Sequence, residues 1–95
     1  MAFKVTISPP AVSDIIEAIE WYEEQQVSLG DRFYDDLNST LDYLVTDPNS
    51  FSSKKENFRE VRLSIFPYLV IYEITMDIVI VAAVFHTSQD PQKKP

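Results

Sequence analysis

The chain has 95 residues, 45% of them hydrophobic and 13% aromatic, which predicts one small packed domain rather than a disordered chain. It has no cysteine, which excludes disulfides, thiolate metal sites and a cysteine nucleophile. The net charge of −7 argues against non-specific nucleic-acid binding. Because the charge is −8 over residues 1–47 and +1 over residues 48–95, any site for a polyanion is expected in the second half.

The first elements are a strand and an acidic helix. Residues 3–7 alternate apolar and polar side chains, which predicts a half-buried strand. Ser8-Pro9-Pro10 ends it and begins a helix, because proline is tolerated in a first helical turn. From residue 10 to about 26 the apolar residues recur at helical spacing and acids fill most other positions, which predicts an amphipathic helix with an acidic outer face. The apolar positions are Ile15, Ala18, Ile19 and Tyr22.

A second helix is predicted to start at Ser28, with Ser28 as its cap and Asp31 as the acid of a capping box. Its apolar stripe is Phe33, Leu37, Leu41 and Leu44. The helix is expected to end at Asp47-Pro48, because proline disfavours helical backbone in the residue before it. Since the connection to the first helix is short, the two are expected to form an antiparallel hairpin.

The second half predicts a polar loop over residues 48–57 and then three β-rich runs. The runs are residues 58–65, 68–75 and 78–85, divided by short turns, which favours an antiparallel meander. The resulting fold class is α+β, in the order β-α-α-β-β-β, with a helical hairpin packed on one face of a small, mainly antiparallel sheet and the other face partly exposed. One domain is expected over residues 1–87, followed by a flexible tail over residues 88–95.

No signal-peptide run and no membrane-length apolar stretch occurs, which with the missing cysteines predicts a cytoplasmic protein without a membrane contact. The single glycine excludes glycine-rich phosphate loops. No cofactor and no metal is expected.

Positive charge in the second half supplies the first candidate site. Arg62 is out of phase with Val61, Leu63 and Ile65; if those three face the helices, Arg62 points from the open face of the sheet. The alternative is an arginine paired across the strands with Glu73. Three more basic residues near Arg62 are candidates for binding phosphate or nucleic acid, against the alternative of an ordinary solvated loop. They are Lys54, Lys55 and Arg59.

Four further side chains have two interpretations each. His86, the only histidine, can act as an acid or base near neutral pH or can be a structural residue at a strand end. Tyr68 and Tyr72 share one strand face and can stack against a partner or pack in the core. Trp21, next to Tyr22, can be an exposed partner contact or a boundary residue beside the sheet.

Several short motifs, in this order and spacing, resemble the RelE/ParE toxin superfamily over about residues 3–91, and most closely its ParE-like plasmid-stabilisation branch. The first half contributes Ala11-x-x-Asp14-Ile15, Trp21-Tyr22, Leu29-Gly30-x-Arg32-Phe33 and Asp47-Pro48. The second half contributes Arg62-x-x-x-x-Phe66-Pro67-Tyr68-x-x-x-Tyr72, then Ala83-Val84-Phe85-His86 and Asp90-Pro91.

The resemblance implies the toxin of a type II toxin–antitoxin pair, neutralised by a cognate antitoxin. RelE-like members cleave mRNA in the ribosome without a metal, and ParE-like members poison DNA gyrase. The resemblance also makes Arg62 a phosphate-binding arginine. The chain departs from the pattern after His86, where many members carry a lysine or arginine and this sequence has Thr87, Ser88 and Gln89. It also lacks the C-terminal aromatic of RelE-like nucleases, since Gln-Lys-Lys-Pro follows Asp90-Pro91.

Three hypotheses follow. The first is a toxin that binds a protein target such as gyrase, which needs no catalytic set. The second is a ribosome-dependent, metal-free mRNA interferase that uses Arg62 and the loop lysines, with the ribosome and mRNA as partners. The third is a non-toxic member that only binds, either to an antitoxin or to itself as a homodimer.

Overall fold

The structure, a computed structural model, describes residues 2–51, 53–55 and 57–88, with backbone alone at 53–55. Its helices are α1 (Pro9–Gln25) and α2 (Leu29–Thr46), followed by a single 3₁₀ turn at Pro48–Ser50. Its strands are β1 (Lys4–Ile7), β2 (Ser53–Lys55), β3 (Phe58–Arg62), β4 (Tyr68–Thr75) and β5 (Ile78–His86). The predicted tail falls, from residue 89 onward, outside the described residues. Neither helix is long and apolar enough to cross a membrane.

The strands form one mixed sheet in the order β1-β5-β4-β3-β2. β1 runs parallel to β5, and the remaining neighbours are antiparallel. This confirms the α+β order, with β2 as an addition at the edge of the sheet. The sequence of β2 is polar and does not by itself predict a strand. The segment is a strand because it pairs with the edge of β3.

The helical hairpin covers one face of the sheet with the predicted apolar stripes. Ile15 and Ala18 from α1 and Phe33 and Leu37 from α2 are buried against the sheet, and Tyr22 is half-buried beside them. Burying a side chain such as leucine or phenylalanine stabilises the fold by about 1.5–3 kcal/mol, so these stripes supply most of the adhesion between the layers. A smaller cluster lies apart from this core and consists of Ile71, Ala83 and Phe85, with Phe58 packed against it.

The two helices approach closely at Gly30. A Cβ atom built there would lie 2.8 Å from the carbonyl oxygen of Ile19, so a larger residue would push α1 and α2 apart. The start of α2 differs from the predicted capping box. Ser28 has left-handed backbone (φ 72°) and makes no side-chain cap. Instead Glu23, from α1, accepts hydrogen bonds from the N–H groups of Ser28 (2.9 Å) and Gly30 (3.0 Å).

β5 contains a bulge that reverses the facing of its last residues. Ile71 pairs with Ala83 and Tyr72 pairs with Val81, so Ala82 is an extra residue on β5. Both Val81 and Val84 therefore lie in the core under the helices. Ser8 holds the bulge from the end of β1, donating its N–H to the carbonyl of Val81 (3.0 Å) and its hydroxyl to that of Ala82 (3.2 Å).

Candidate functional site

A cavity of about 310 Å³ lies between α1 and the end of β5, and we call it the α1–β5 cavity. From α1 it is lined by Asp14, Glu17, Ala18, Trp21 and Tyr22. From the sheet and the turn after it, Tyr68, Val84, His86 and Ser88 complete the lining. The cavity thus brings together Trp21, Tyr68 and His86, three of the residues that the sequence singled out.

The cavity exists because β1 is short. β1 pairs with β5 only over residues 78–81, so the later part of that edge of β5 is beyond the reach of β1. Asp14, Glu17 and Trp21, spaced i, i+3, i+7, share the flank of α1 that faces this edge. The carboxylate of Asp14 takes the place of a strand partner and accepts the N–H of Val84 (3.0 Å).

The environment of Asp14 is unfavourable for its charge. Burial raises the pKa of this carboxyl group above its usual 3.8, the hydrogen bond from Val84 opposes the rise, and the nearby charge of Glu17 adds to it. The cavity therefore holds a partly desolvated carboxyl group, Asp14, next to the exposed carboxylate of Glu17.

Aromatic rings form much of the remaining wall. Trp21, which is 55% exposed, meets Tyr22 edge to face at 5.0 Å between ring centroids, and Tyr22 lies 6.1 Å from Tyr68. Tyr68 in turn meets the ring of His86 at 5.0 Å. Burial, followed by the neighbouring Tyr22 and Glu17, raises the pKa of Tyr68 to about 12. Trp21 thus presents an accessible ring, and its role as a partner contact stays a prediction.

His86 is held by Ser88. The Nδ1 atom of His86 accepts the N–H of Ser88 (3.1 Å), and the Ser88 hydroxyl lies 2.6 Å from the same nitrogen. The role of His86 as an acid or base stays a prediction.

Arg62 lies on the other face of the sheet from His86. Arg62 is exposed and pairs with Leu69, and Leu69 pairs with Phe85, whereas His86 pairs with Tyr68. Because residues directly opposite each other share a face and neighbours along a strand alternate, Arg62 and His86 point in opposite directions. The sheet therefore separates the candidate phosphate-binding arginine from the candidate acid or base.

Two expectations about the surroundings of Arg62 were wrong. Ile65 was expected to face the helices with Val61 and Leu63; those two are buried, but Ile65 is 73% exposed, because β3 ends at Arg62 and the chain turns before β4. The second expectation was that Arg62 pairs with Glu73 on the neighbouring strand. Arg62 lies opposite Leu69, four residues before Glu73, which along a strand is about 13 Å.

The predicted concentration of positive charge is divided. Arg59 precedes Arg62 by three residues, so the two side chains point to opposite faces of the sheet. Arg59 pairs with Tyr72 and therefore lies on the helix-facing side. It is half-buried, and its guanidinium donates a hydrogen bond to the carbonyl of Phe51. The side chains of Lys54 and Lys55 lie outside the described residues. Among the described residues, Arg59 and Arg62 thus do not converge on one surface.

Tyr72 has the core position that was its alternative interpretation. Its side chain is fully buried, and its hydroxyl donates to the carbonyl of Pro48 at 2.6 Å. Burial, opposed by the charge of Arg59 and reinforced by that of Asp47, raises the pKa of Tyr72 to about 12. A side chain with no accessible surface has none to offer a partner, so the suggested contact through Tyr72 does not fit this structure.

Three carboxylates that hold backbone N–H groups were not predicted from the sequence. Asp14 accepts the N–H of Val84, and Glu23 accepts N–H groups at the start of α2. Asp36 accepts the N–H groups of Ile65 and Phe66 at 2.9 Å each. Of these three, only Asp14 belongs to one of the sequence motifs described above, the first of them. In the part of the chain that the structure describes, no group of three or more His, Asp or Glu residues is placed to hold a metal.

Comparison with known proteins agrees with this architecture. Among solved structures, a chain of the chromosomal ParDE toxin–antitoxin system from P. aeruginosa superposes with a TM-score of 0.78 at 11% identity, covering 92% of this chain and 98% of that one. A mutant of the E. coli toxin RelE in the free state gives a TM-score of 0.60 at 13% identity, covering 93% of this chain and 86% of that one. At these identities the likeness shows a shared fold.

The sequence itself carries the family assignment. A search of curated proteins found no significant match. The family model described as ParE toxin of type II toxin-antitoxin system, parDE, matches residues 5–91. This range includes both helices, all of β1 except its first residue, and the meander with its bulge. The chain therefore belongs to the ParE toxin family, within the RelE/ParE superfamily.

Proposed function

We propose that this chain is a toxin that acts by binding a protein target, with DNA gyrase as the expected target, and that a cognate antitoxin neutralises it. The single observation that carries this choice is the placement of Arg62 and His86 on opposite faces of the sheet. Metal-free RNA cleavage needs a group that moves protons and a cation on the phosphate within one site. A toxin that binds a protein needs no such set.

The distribution of charge supports the same choice. The net charge is −7, and in the described body Arg59 is turned toward the helix side while Arg62 is on the opposite face. Nucleic-acid affinity depends on several cations that neutralise neighbouring phosphates. The exposed ring of Trp21 beside a cavity is, by contrast, the kind of feature that anchors protein interfaces.

The test is induced expression in bacteria, with and without the neighbouring small open reading frame, followed by two assays on purified protein. We expect growth arrest that the neighbour relieves, inhibition of supercoiling by gyrase, and intact mRNA in translating extracts. The variant Arg62→Ala decides the interferase alternative, with Arg32→Ala, which also removes one exposed arginine, as its matched control.

Each alternative has its own signature. Cleavage of mRNA on the ribosome that Arg62→Ala abolishes and Arg32→Ala retains would establish the interferase and reject the proposal. Folded protein that accumulates without arresting growth would identify a binding-only member. A size-exclusion measurement on the same sample tests whether that member pairs with itself as a homodimer.

A further inference from the structure

We propose that the α1–β5 cavity binds a guanidinium group, the side chain of an arginine that the antitoxin presents. This inference rests on the proposed function, because it names the chemistry by which that partner is recognised. Three independent features of the cavity carry it: its charge, its aromatic wall and its size.

The charge of the cavity selects a cation. Asp14 and Glu17 are the two acidic side chains among the residues that line it. They lie in the half of the chain whose net charge is −8. One oxygen of Asp14 accepts the N–H of Val84. Because a carboxylate has about four acceptor positions, Asp14 can accept further hydrogen bonds. A bound cation would also stabilise the charged form of Asp14 and so offset the effect of burial, which raises the pKa of this group.

The aromatic wall distinguishes arginine from lysine. The rings of Trp21, Tyr22 and Tyr68 border the same space as the carboxylates. A guanidinium is planar, stacks on aromatic faces, and presents paired N–H donors that match a carboxylate. An ammonium group is more strongly hydrated and offers no plane to stack. The combination of rings and carboxylates therefore favours arginine.

The size of the cavity fits one side chain rather than a folded element. About 310 Å³ is at the lower end of the volumes that bind small molecules. The antitoxin would thus be anchored here by a single residue, while other contacts supply the rest of its interface. An acidic segment of a partner is disfavoured at this position, because it would meet Asp14 and Glu17.

The direct test is an NMR titration of the ¹⁵N-labelled full chain with N-acetyl-L-arginine methylamide. The matched probe is the citrulline analogue, which has the same length and a neutral urea in place of the guanidinium. We expect saturable shifts of the Trp21 indole N–H and the Val84 amide with the arginine probe, and binding about tenfold weaker with citrulline, as expected for one charge-assisted hydrogen bond.

Two variants locate the binding. Glu17→Gln removes one charge with little change in shape and should weaken the arginine probe about fivefold or more, as loss of a charged hydrogen-bond partner does. Glu20→Gln is its control, because Glu20 is an exposed residue of α1 that does not line the cavity. In the complex with the antitoxin, Glu17→Gln and Trp21→Ala should both speed dissociation, while Glu20→Gln should not.

Four results would overturn the inference. Three of them come from the probe titrations: equal binding of the citrulline analogue, shifts confined to residues outside the cavity, and unchanged binding in Glu17→Gln. The fourth result comes from the double variant Lys93→Gln and Lys94→Gln, measured without any probe. If the resonances of the cavity residues shift in this variant, the lysines of this chain occupy the cavity, and the inference is overturned. The proposed function is judged separately by growth arrest and gyrase inhibition, so a failure of the inference can be told apart from a failure of the proposed function.

Discussion

At the scale of single residues, buried carboxylates decide how the turns are held. Asp36 is 5% exposed, and one of its oxygens accepts two backbone N–H groups from the turn between β3 and β4. A buried N–H group without a partner is costly, so Asp36 fixes the turn that carries Ile65 and Phe66 to α2. The sequence shows only an acid next to the apolar stripe of α2.

Asp36→Ala should therefore destabilise the domain by about 3 kcal/mol, since two charge-assisted hydrogen bonds are lost and two donors are left unpaired. Asp36→Asn should lose less, because its amide oxygen can still accept. The free energy of unfolding in urea measures both variants. Asp35→Ala is the matched control at an exposed neighbouring position, where a change within about 0.5 kcal/mol is expected. Equal losses at positions 35 and 36 would refute the role of Asp36.

At the scale of elements, one helix caps the next. Glu23 of α1 accepts the N–H groups of Ser28 and Gly30, which lie at the start of α2 where donors have no partner within the helix. Its negative charge also meets the positive end of the dipole of α2. The connection between the helices is thus fixed by a side chain that precedes it, and the hydroxyl of Ser28 does no capping.

Glu23→Ala should lower the free energy of unfolding by about 1–2 kcal/mol, the usual cost of losing a helix cap. Glu24→Ala is the control, because it removes an exposed glutamate next to Glu23. Hydrogen exchange should also become faster at the amides of Ser28 and Gly30 in Glu23→Ala alone. The prediction fails if the two alanine variants unfold at the same urea concentration.

At the scale of the whole molecule, two tyrosines lie between the helical layer and the sheet. The pKa of both Tyr68 and Tyr72 is raised from 10.0 to about 12 in the folded chain. A raised pKa means that the folded state keeps these protons where the unfolded chain would lose them. The associated stability is thus fully present below pH 10 and is lost as the pH rises toward 12.

The free energy of unfolding should accordingly fall between pH 10 and pH 12, as followed by circular dichroism in urea. Tyr72→Phe should be less stable at pH 7 by about 1–2 kcal/mol, because the carbonyl of Pro48 loses its donor. It should also fall less steeply in alkali, since one of the two groups is gone. Tyr34→Phe, at an exposed site, controls for the loss of a hydroxyl at pH 7. An unchanged alkaline slope in Tyr72→Phe would contradict the assignment.

The sequence by itself determined the order of elements apart from β2, the two helical stripes and the family. Those features depend on local spacing: apolar residues three and four apart define the helices, and prolines mark the start of α1 and the end of α2. The strand boundaries of β4 were predicted to the residue for the same reason. Trp21, Tyr68 and His86 could be named as candidates from the sequence, but nothing local placed them around one cavity.

The tertiary structure decided which residues meet. The bulge at Ala82 turns Val84 and His86 toward the helices, and without that extra residue strict alternation would have put His86 on the face of Arg62. The bulge is held by Ser8, 74 residues away along the chain. Because the facing of a strand end depends on pairing with such distant partners, alternation within the strand could not reveal it, and the separation of Arg62 from His86 follows from the fold alone.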